Sequence, residues 1–258
     1  MKSLIVIPSR YASTRFPGKP LALLGGKPIV QWVWERVGAL GGEADAVIAT
    51  DDQRIADAAR QGFGARVIMT SADCHSGTDR CGEVLQQMLA GPGKAYDVVI
   101  NVQGDEPFVE ADQLRSLLAA FARPEVQIAT LATRIGTTGE LFSPNNVKVV
   151  CDANGKALYF SRQPIPFRRG VPEQQWIAEG DYHKHVGIYA YRAEVLQALC
   201  RLPLGRLEQA ESLEQLRWLE AGYAIHVLPT DHANIGIDTP DDLAAAELYL
   251  KQINTTAI

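Results

Sequence analysis

Cysteine is scarce in this chain: four residues in 258, at Cys74, Cys81, Cys151 and Cys200. None lies in C-x-x-C spacing, which speaks against a structural zinc site or a dithiol redox motif. Scattered thiols in a chain of this size fit a reducing compartment better than a disulfide framework. There is no basic excess either. Lys and Arg number 25 against 30 Asp and Glu, for a formal charge of −5, so no broad basic surface for nucleic acid is implied. No apolar stretch approaches the ~20 residues of a membrane helix. The apolar run after Met1-Lys2-Ser3 is too short for the core of a signal peptide. A cytoplasmic protein without a membrane or nucleic-acid partner is the expectation. Also absent are a G-x-G-x-x-G after the first strand, a G-x-x-x-x-G-K-[ST], internal repeats and low-complexity tracts, which excludes the common dinucleotide and P-loop fingerprints. What is present is a composition that can bury a core, 47% hydrophobic and 21% charged, in a length that suits one large α/β domain or two small ones.

Short apolar runs alternate with segments of helical spacing over the first half. Strands are expected at Leu4–Ile7, Ala46–Ala49, Arg66–Met69, Asp97–Val102 and Ile128–Leu131. Between them, Ile29, Val33, Val37 and Leu40 share one helical face. Asp51 or Asp52 can cap a helix running to Gly62. Ser76-Gly77-Thr78 opens another helix, and a fourth follows at 111–121. This rhythm predicts βαβ units and a doubly wound, mainly parallel α/β sheet. After about residue 143 it changes. Val147–Val150 and Ala157–Phe160 are separated only by the turn Asp152-Ala153-Asn154-Gly155, and a further strand follows at His185–Tyr191. We read an antiparallel excursion over about 145–192 within a single domain of 1–258. The 162–182 segment is expected to be a partly mobile loop, and 207–221 one helix carrying mostly solvated glutamates.

The segment around which the rest is organised follows the first strand: Pro8-Ser9-Arg10-Tyr11-Ala12-Ser13-Thr14-Arg15-Phe16-Pro17-Gly18-Lys19-Pro20-Leu21. Arg10, Arg15 and Lys19 bring three cations within ten residues. Ser9, Ser13 and Thr14 add hydroxyls, Gly18 permits close backbone approach, and three prolines stiffen the path. A rigid cationic loop at the carboxyl end of a buried strand suits a triphosphate, more than a merely solvated basic loop would need.

Two acidic motifs stand at comparable places. Gln103-Gly104-Asp105-Glu106-Pro107 ends the fourth strand, at the rim where open α/β sheets bind ligands. Asp105 there can hold Mg²⁺ against phosphate oxygens or merely cap a turn; Glu106 fits the cap equally well. In Gly236-Ile237-Asp238-Thr239-Pro240-Asp241-Asp242, Thr239 reads as the N-cap, Pro240 as the first helical residue and Asp242 as the reciprocal cap. Asp238 is left without a structural task and is a candidate second metal ligand. In Ser76-Gly77-Thr78-Asp79-Arg80, a plain helix cap with Arg80 on a solvated face is the simpler reading, though free N–H groups there can meet a ligand. His75 reads as a loop residue. Arg162 can fork onto a carboxylate and His185 can donate to a hydroxyl. Trp32, Trp34 and Trp218 read as core or interface anchors.

Taken in order, these motifs together with Asn146-Val147-Lys148, Tyr159-Phe160-Ser161-Arg162, His185-Val186-Gly187-Ile188-Tyr189 and Leu213-Glu214-Gln215-Leu216-Arg217 resemble the 3-deoxy-manno-octulosonate (Kdo) cytidylyltransferases, also called CMP-Kdo synthetases, over nearly the whole chain. Looser forms of the first motif, of the 101–107 motif and of the last motif also occur in CMP-sialate synthetases. The resemblance implies a nucleotide-diphospho-sugar transferase-like fold. It implies a reaction in which CTP and Kdo give CMP-Kdo and pyrophosphate with Mg²⁺, serving lipopolysaccharide assembly. It also implies a homodimer, with the 145–192 excursion contributing to the sugar site and the dimer interface. Carried over by motif, Arg10, Arg15, Lys19, Ser76 and Gln103 meet the nucleotide, and Arg15, Lys19, Asp105 and Asp238 are the catalytic set. Asp105 and Asp238 hold the metal, and Arg162, His185, Tyr189, Glu214 and Gln215 face the sugar acid. The family often has histidine one position away from His75, so no role passes to His75. Another acid sugar, such as 8-amino-Kdo or a sialic acid, is the alternative acceptor, and a non-catalytic nucleotide sensor is the rival outside the enzyme class.

Overall fold

The computed structural model describes residues 1–13, 15–90, 95–232 and 235–256; the Thr14 hydroxyl counted in the cationic loop lies outside them. The chain forms two compact units, Met1–Arg115 with Asn234–Ile258, and Ser116–Ala233.

The first unit is built on parallel strands. β1 (Ser3–Pro8) is buried along its whole length. A short hairpin, β2 (Leu23–Leu24) and β3 (Lys27–Pro28), follows the cationic loop. β4 (Asp45–Thr50), β5 (Val67–Met69) and β6 (Val98–Asn101) complete the set. β1 pairs in parallel with β4 on one side and β6 on the other, and β4 pairs with β5. Strands such as Leu4-Ile5-Val6-Ile7, fully buried on both faces, explain the unbroken apolar runs. Helices α1 (Ile29–Gly38) and α3 (Gly77–Leu89) pack on β1. Ile29, Val33, Val37 and Leu40, assigned one face by their spacing, are all buried. α2 (Gln53–Asp57) starts at Asp52, whose carboxylate accepts from Arg54 N, and continues as a single wide turn over Ala58–Gly62. α4 covers Ala111–Ala120, and the final helix, Pro240–Thr256, packs Ala246 and Leu250 against Leu24, Ile29 and Phe108.

The second unit holds β7 (Ile128–Arg134), β8 (Lys148–Cys151), β9 (Ala157–Ser161), β10 (His183–Arg192) and β11 (Ile225–Pro229). β7 lies between β11, parallel, and β10, antiparallel; β8 pairs antiparallel with both β10 and β9. The expected antiparallel excursion is therefore present.

Two local expectations fail. The 162–182 segment is packed, with a short helical stretch at Trp176–Glu179. Trp176 and Tyr182 are buried with Ile135 and Leu141, Trp176 Nε1 donates to the Val171 carbonyl (2.9 Å), and Tyr182 Oη donates to the Pro166 carbonyl (3.1 Å). Its polar composition hid two aromatic anchors. The single helix over 207–221 is two, Arg206–Glu211 and Glu214–Glu220, broken where Ser212 takes a left-handed conformation (φ 52°) and Leu213 is extended.

Candidate active site

The cationic loop is closed on itself. Gly18 N donates to the Tyr11 carbonyl (2.9 Å), and Gly18 adopts a left-handed conformation (φ 73°) that frees the turn into Lys19. The Tyr11 ring lies 3.0 Å from where a Cβ on Gly18 would stand, and the Arg54 guanidinium sits 3.3 Å from the ring centroid. Tyr11 is thus a wedge that holds the loop's shape. The ladder between β1 and β6 continues past the strand ends: Val102 N donates to Val6 O (3.0 Å) and Gly104 N to Pro8 O (3.1 Å). A side chain on Gly104 would overlap Ser9 Oγ and the Pro8 carbonyl, so glycine is what lets the Gln103–Pro107 turn lie against the loop. Ile237 N then donates to the Asp105 carbonyl (3.0 Å), which sets Asp238 beside Asp105.

Four side chains converge as a result. Lys19 Nζ bonds to Asp105 and, at 2.9 Å, to Asp238; Arg15 Nη2 lies 3.0 Å from the other oxygen of Asp238. The Lys19 side chain is 11% exposed, Asp238 52%. Burial alone lowers the Lys19 ammonium, but the charges and hydrogen bonds of Asp105 and Asp238 outweigh it, leaving Lys19 above its ordinary 10.5. Burial raises Asp238, and Lys19 and Arg15 reverse this and hold it below its ordinary 3.8. The group borders a cavity of ≈ 340 Å³ that is also lined by Ser9, Arg10, Ser76, Gly77, Gln103 and Gly104. All seven residues expected at the nucleotide and metal (Arg10, Arg15, Lys19, Ser76, Gln103, Asp105, Asp238) line that one cavity. Thr239 and Asp242 cap each other as their spacing requires (2.9 and 3.2 Å), so Asp238 is not consumed by the cap.

The helix opened by Ser76 is a reciprocal capping box with Asp79 (3.1 Å in both directions). A Cβ on Gly77 would stand 2.8 Å from Gln103 Nε2, so the amide of Gln103 lies tight against the helix start. Arg80 departs from expectation. It is fully buried rather than solvated, bonds to Thr70, lies 3.1 Å from Asp51 and is among the residues that line the cavity. It ties the ends of β4 and β5 to the first turn of α3. A sequence signal existed: Arg80 falls on the same helical face as Val84.

The residues expected at the sugar lie in the second unit. Tyr189 is buried with its hydroxyl unpartnered among the described residues, and burial, then the Glu214 charge, push that hydroxyl well above 10. His185 Nε2 lies 2.9 Å from Thr130 Oγ1, which is also within reach of the Val186 and Ile188 carbonyls (3.2 and 2.8 Å). Burial pushes His185 down to about 3, so the ring is neutral, with one nitrogen a donor and the other an acceptor. Gln215 is buried, and Glu214 pairs with Arg217 at 2.7 Å. Glu208 also faces Arg217, at 3.4 Å, and Glu211 accepts from Ser161 Oγ (2.7 Å) and Arg162 N (2.9 Å). Three of the glutamates expected in solvent are thus half-buried and paired. Arg162 has a task that sequence did not suggest. Its Nε, Nη1 and Nη2 donate to the carbonyls of Glu211 (2.7 Å), Pro144 (3.0 Å) and Ser212 (3.2 Å), capping the helix that Ser212 ends. Lys148, fully buried, donates to the carbonyls of Ser143, Asn146 and Arg162 at 2.9, 2.6 and 2.5 Å.

A cationic loop after β1, Asp105 after β6 and Asp238 ahead of the final helix, brought together on one cavity, define a nucleotidyltransferase site, and the cytidylyltransferase family model matches residues 4–226. At 52% identity over 98% of both chains, the sequence is similar to a 3-deoxy-manno-octulosonate cytidylyltransferase of Phocaeicola vulgatus. It is also 44% identical, over 97% of this chain and 99% of the other, to an 8-amino-3,8-dideoxy-manno-octulosonate cytidylyltransferase of Shewanella baltica. Among solved structures it resembles a CMP:2-keto-3-deoxy-manno-octonic acid synthetase complexed with CTP, with a TM-score of 0.87 and 43% identity over 98% and 99% of the two chains. The chain belongs to the 3-deoxy-manno-octulosonate cytidylyltransferase family.

Proposed function

We propose that the protein transfers CMP from CTP to the anomeric hydroxyl of Kdo, releasing pyrophosphate and giving CMP-Kdo for lipopolysaccharide assembly. The observation that carries this reading is the convergence of Lys19, Arg15, Asp105 and Asp238 on one cavity, in a chain half identical to curated members of that family. Arg10, Arg15 and Lys19 take the triphosphate. Charge moves onto the departing pyrophosphate as the α-phosphorus is attacked in line, and cations held by a stiff loop stabilise it without reorganising. Ser76, Gln103 and the backbone around Gly77 receive the nucleoside. The sugar acid falls to the second unit: Tyr189 Oη and Gln215 donate to it, a His185 ring nitrogen meets a hydroxyl, and Glu214 accepts from another. Arg162 holds the helix break before Glu214 and offers its remaining N–H groups to the carboxylate. Attack by the substrate's own hydroxyl requires no covalent nucleophile.

Mg²⁺ is the metal that fits. Asp105 and Asp238 are hard oxygen donors that already meet on a cation, Lys19 Nζ, and two carboxylates with phosphate oxygens and water are the usual Mg²⁺ set. Bound there, Mg²⁺ supplies charge neutralisation at the phosphates and a lowered pKa for the attacking hydroxyl. We further assign the protein to the cytoplasm as a homodimer. Its four cysteines are unbridged, and among the described residues no helix is long and apolar enough to cross a membrane. The excursion exposes Leu158 and Phe167, at 62% and 73%, as apolar surface for a second copy.

Pyrophosphate release with CTP, Mg²⁺ and each of Kdo, 8-amino-Kdo and a sialic acid tests the reading. Turnover with Kdo well above the others is the expected result. Preference for the 8-amino sugar would move the acceptor to the one named for the Shewanella relative, and no turnover with any sugar would leave a nucleotide sensor.

A further inference from the structure

Each carboxylate that would hold a divalent cation is already engaged by a cation of the chain itself. Lys19 Nζ bridges Asp105 and Asp238, and Arg15 takes the second oxygen of Asp238. Two negative charges face two positive ones, and Lys19 is nearly withdrawn from water. Its position is built in: the left-handed Gly18, the Tyr11 wedge and Pro20 fix the backbone from which it projects. A metal on these carboxylates would have to displace or crowd the Lys19 ammonium and the Arg15 guanidinium. A metal entering alone would face the Lys19 ammonium at short range and leave it without a partner in a partly desolvated site, which is unfavourable twice over. A polyphosphate changes the balance, because it offers Lys19 and Arg15 new anionic partners in the adjoining cavity and so releases the carboxylates.

We propose that Lys19 is an intramolecular competitor for the metal carboxylates, so that nucleotide-free protein binds divalent cations weakly and nucleotide and metal enter as coupled ligands. This rests on the assignment of Asp105 and Asp238 to the metal. It gives Lys19 a second task beyond contact with phosphate: it suppresses metal binding in protein without nucleotide. Because coupling is reciprocal, metal must tighten nucleotide binding by the same factor that nucleotide tightens metal binding.

The test uses Mn²⁺ as the probe, with free Mn²⁺ followed by electron spin resonance in nucleotide-free protein. Lys19→Gln should bind Mn²⁺ at least about tenfold more tightly than the natural chain. Lys19→Arg, which keeps the charge, should not, and Lys19→Gln combined with Asp105→Asn should lose the gain. Lys19→Gln with a normal thermal melt and unchanged Mn²⁺ affinity would overturn the proposal. Should Lys19→Gln fail to fold, the natural protein still decides it: the side-chain ammonium NMR signal of Lys19 should shift on adding CTP alone and stay in place on adding Mg²⁺ alone. A shift with Mg²⁺ alone would overturn it. The metal assignment fails separately, if Asp105→Asn leaves Mn²⁺ binding in the presence of CTP unchanged.

Discussion

Removing the Arg162 guanidinium separates two roles that a kinetic defect alone would confuse. In Arg162→Ala, three donors to the carbonyls of Glu211, Pro144 and Ser212 disappear. Arg162 is half-buried, so water can reach part of what is vacated, and each bond is worth about 1 kcal/mol rather than the upper value for a buried charged donor. The sum, about 3 kcal/mol, corresponds to a fall of roughly 6–12 °C in melting temperature for a chain of this length. Glu214 and Gln215 begin the helix just after the capped break, so a loosened cap should also raise KM for the sugar acid while KM for CTP stays within about twofold, a difference under roughly 0.5 kcal/mol. Differential scanning calorimetry and two-substrate kinetics measure both effects. Arg162→Lys should recover little of either, since an ammonium cannot fork onto three carbonyls in this arrangement. An Arg162→Ala protein that melts with the natural chain would refute the reasoning, whatever its kinetics.

Other expectations follow from the same geometry. Asp105→Asn and Asp238→Asn should each keep the fold and lose most turnover, and the double variant should be scarcely worse than the poorer single one, because groups acting as a unit are not additive; additive losses in kcat would separate them. Arg15→Ala should cost CTP use about 1.5–3 kcal/mol in kcat/KM, as loss of a charge-assisted phosphate contact does, and weaken Kdo use less; equal losses for both substrates would contradict this. Gly104→Ala should abolish activity, because its side chain would displace Ser9 and the Pro8 carbonyl and part the loop from the Asp105 turn; near-normal CTP kinetics would disprove the close approach. His185, ordinarily near 6.5 and about 3 in the fold, binds a proton in the unfolded chain before it does so in the native one. Its contribution is complete above about pH 6.5 and falls by about 1.4 kcal/mol per pH unit as pH drops towards 3. Urea titrations at pH 7, 6 and 5 should show that His185→Gln has the shallower dependence; a slope equal to the natural chain's would rule this out.

Local chemistry alone settled a good deal. Short uninterrupted apolar runs such as Leu4–Ile7 and Val98–Ile100, alternating with segments of helical spacing, fit strands covered on both faces, so the parallel sheet was legible. The Thr239–Asp242 cap left Asp238 spare by simple bookkeeping of backbone donors. The cationic loop declared itself because prolines, glycine and like charges are a costly combination without an anion to meet. What no local pattern could supply was pairing across long separations. That Lys19 bridges Asp105 and Asp238 depends on the Val102, Gly104 and Ile237 backbone bonds, each joining segments remote in sequence. The burial of Arg80 depends on strand ends contributed by Asp51 and Thr70. Ser212 offers no turn signal that would break a helix; the break is held by Arg162, which reaches the freed carbonyls from β9's end. Periodicity records which face of an element is apolar, whereas hydrogen bonds and ion pairs between distant segments depend on three-dimensional distances that no single window of sequence contains.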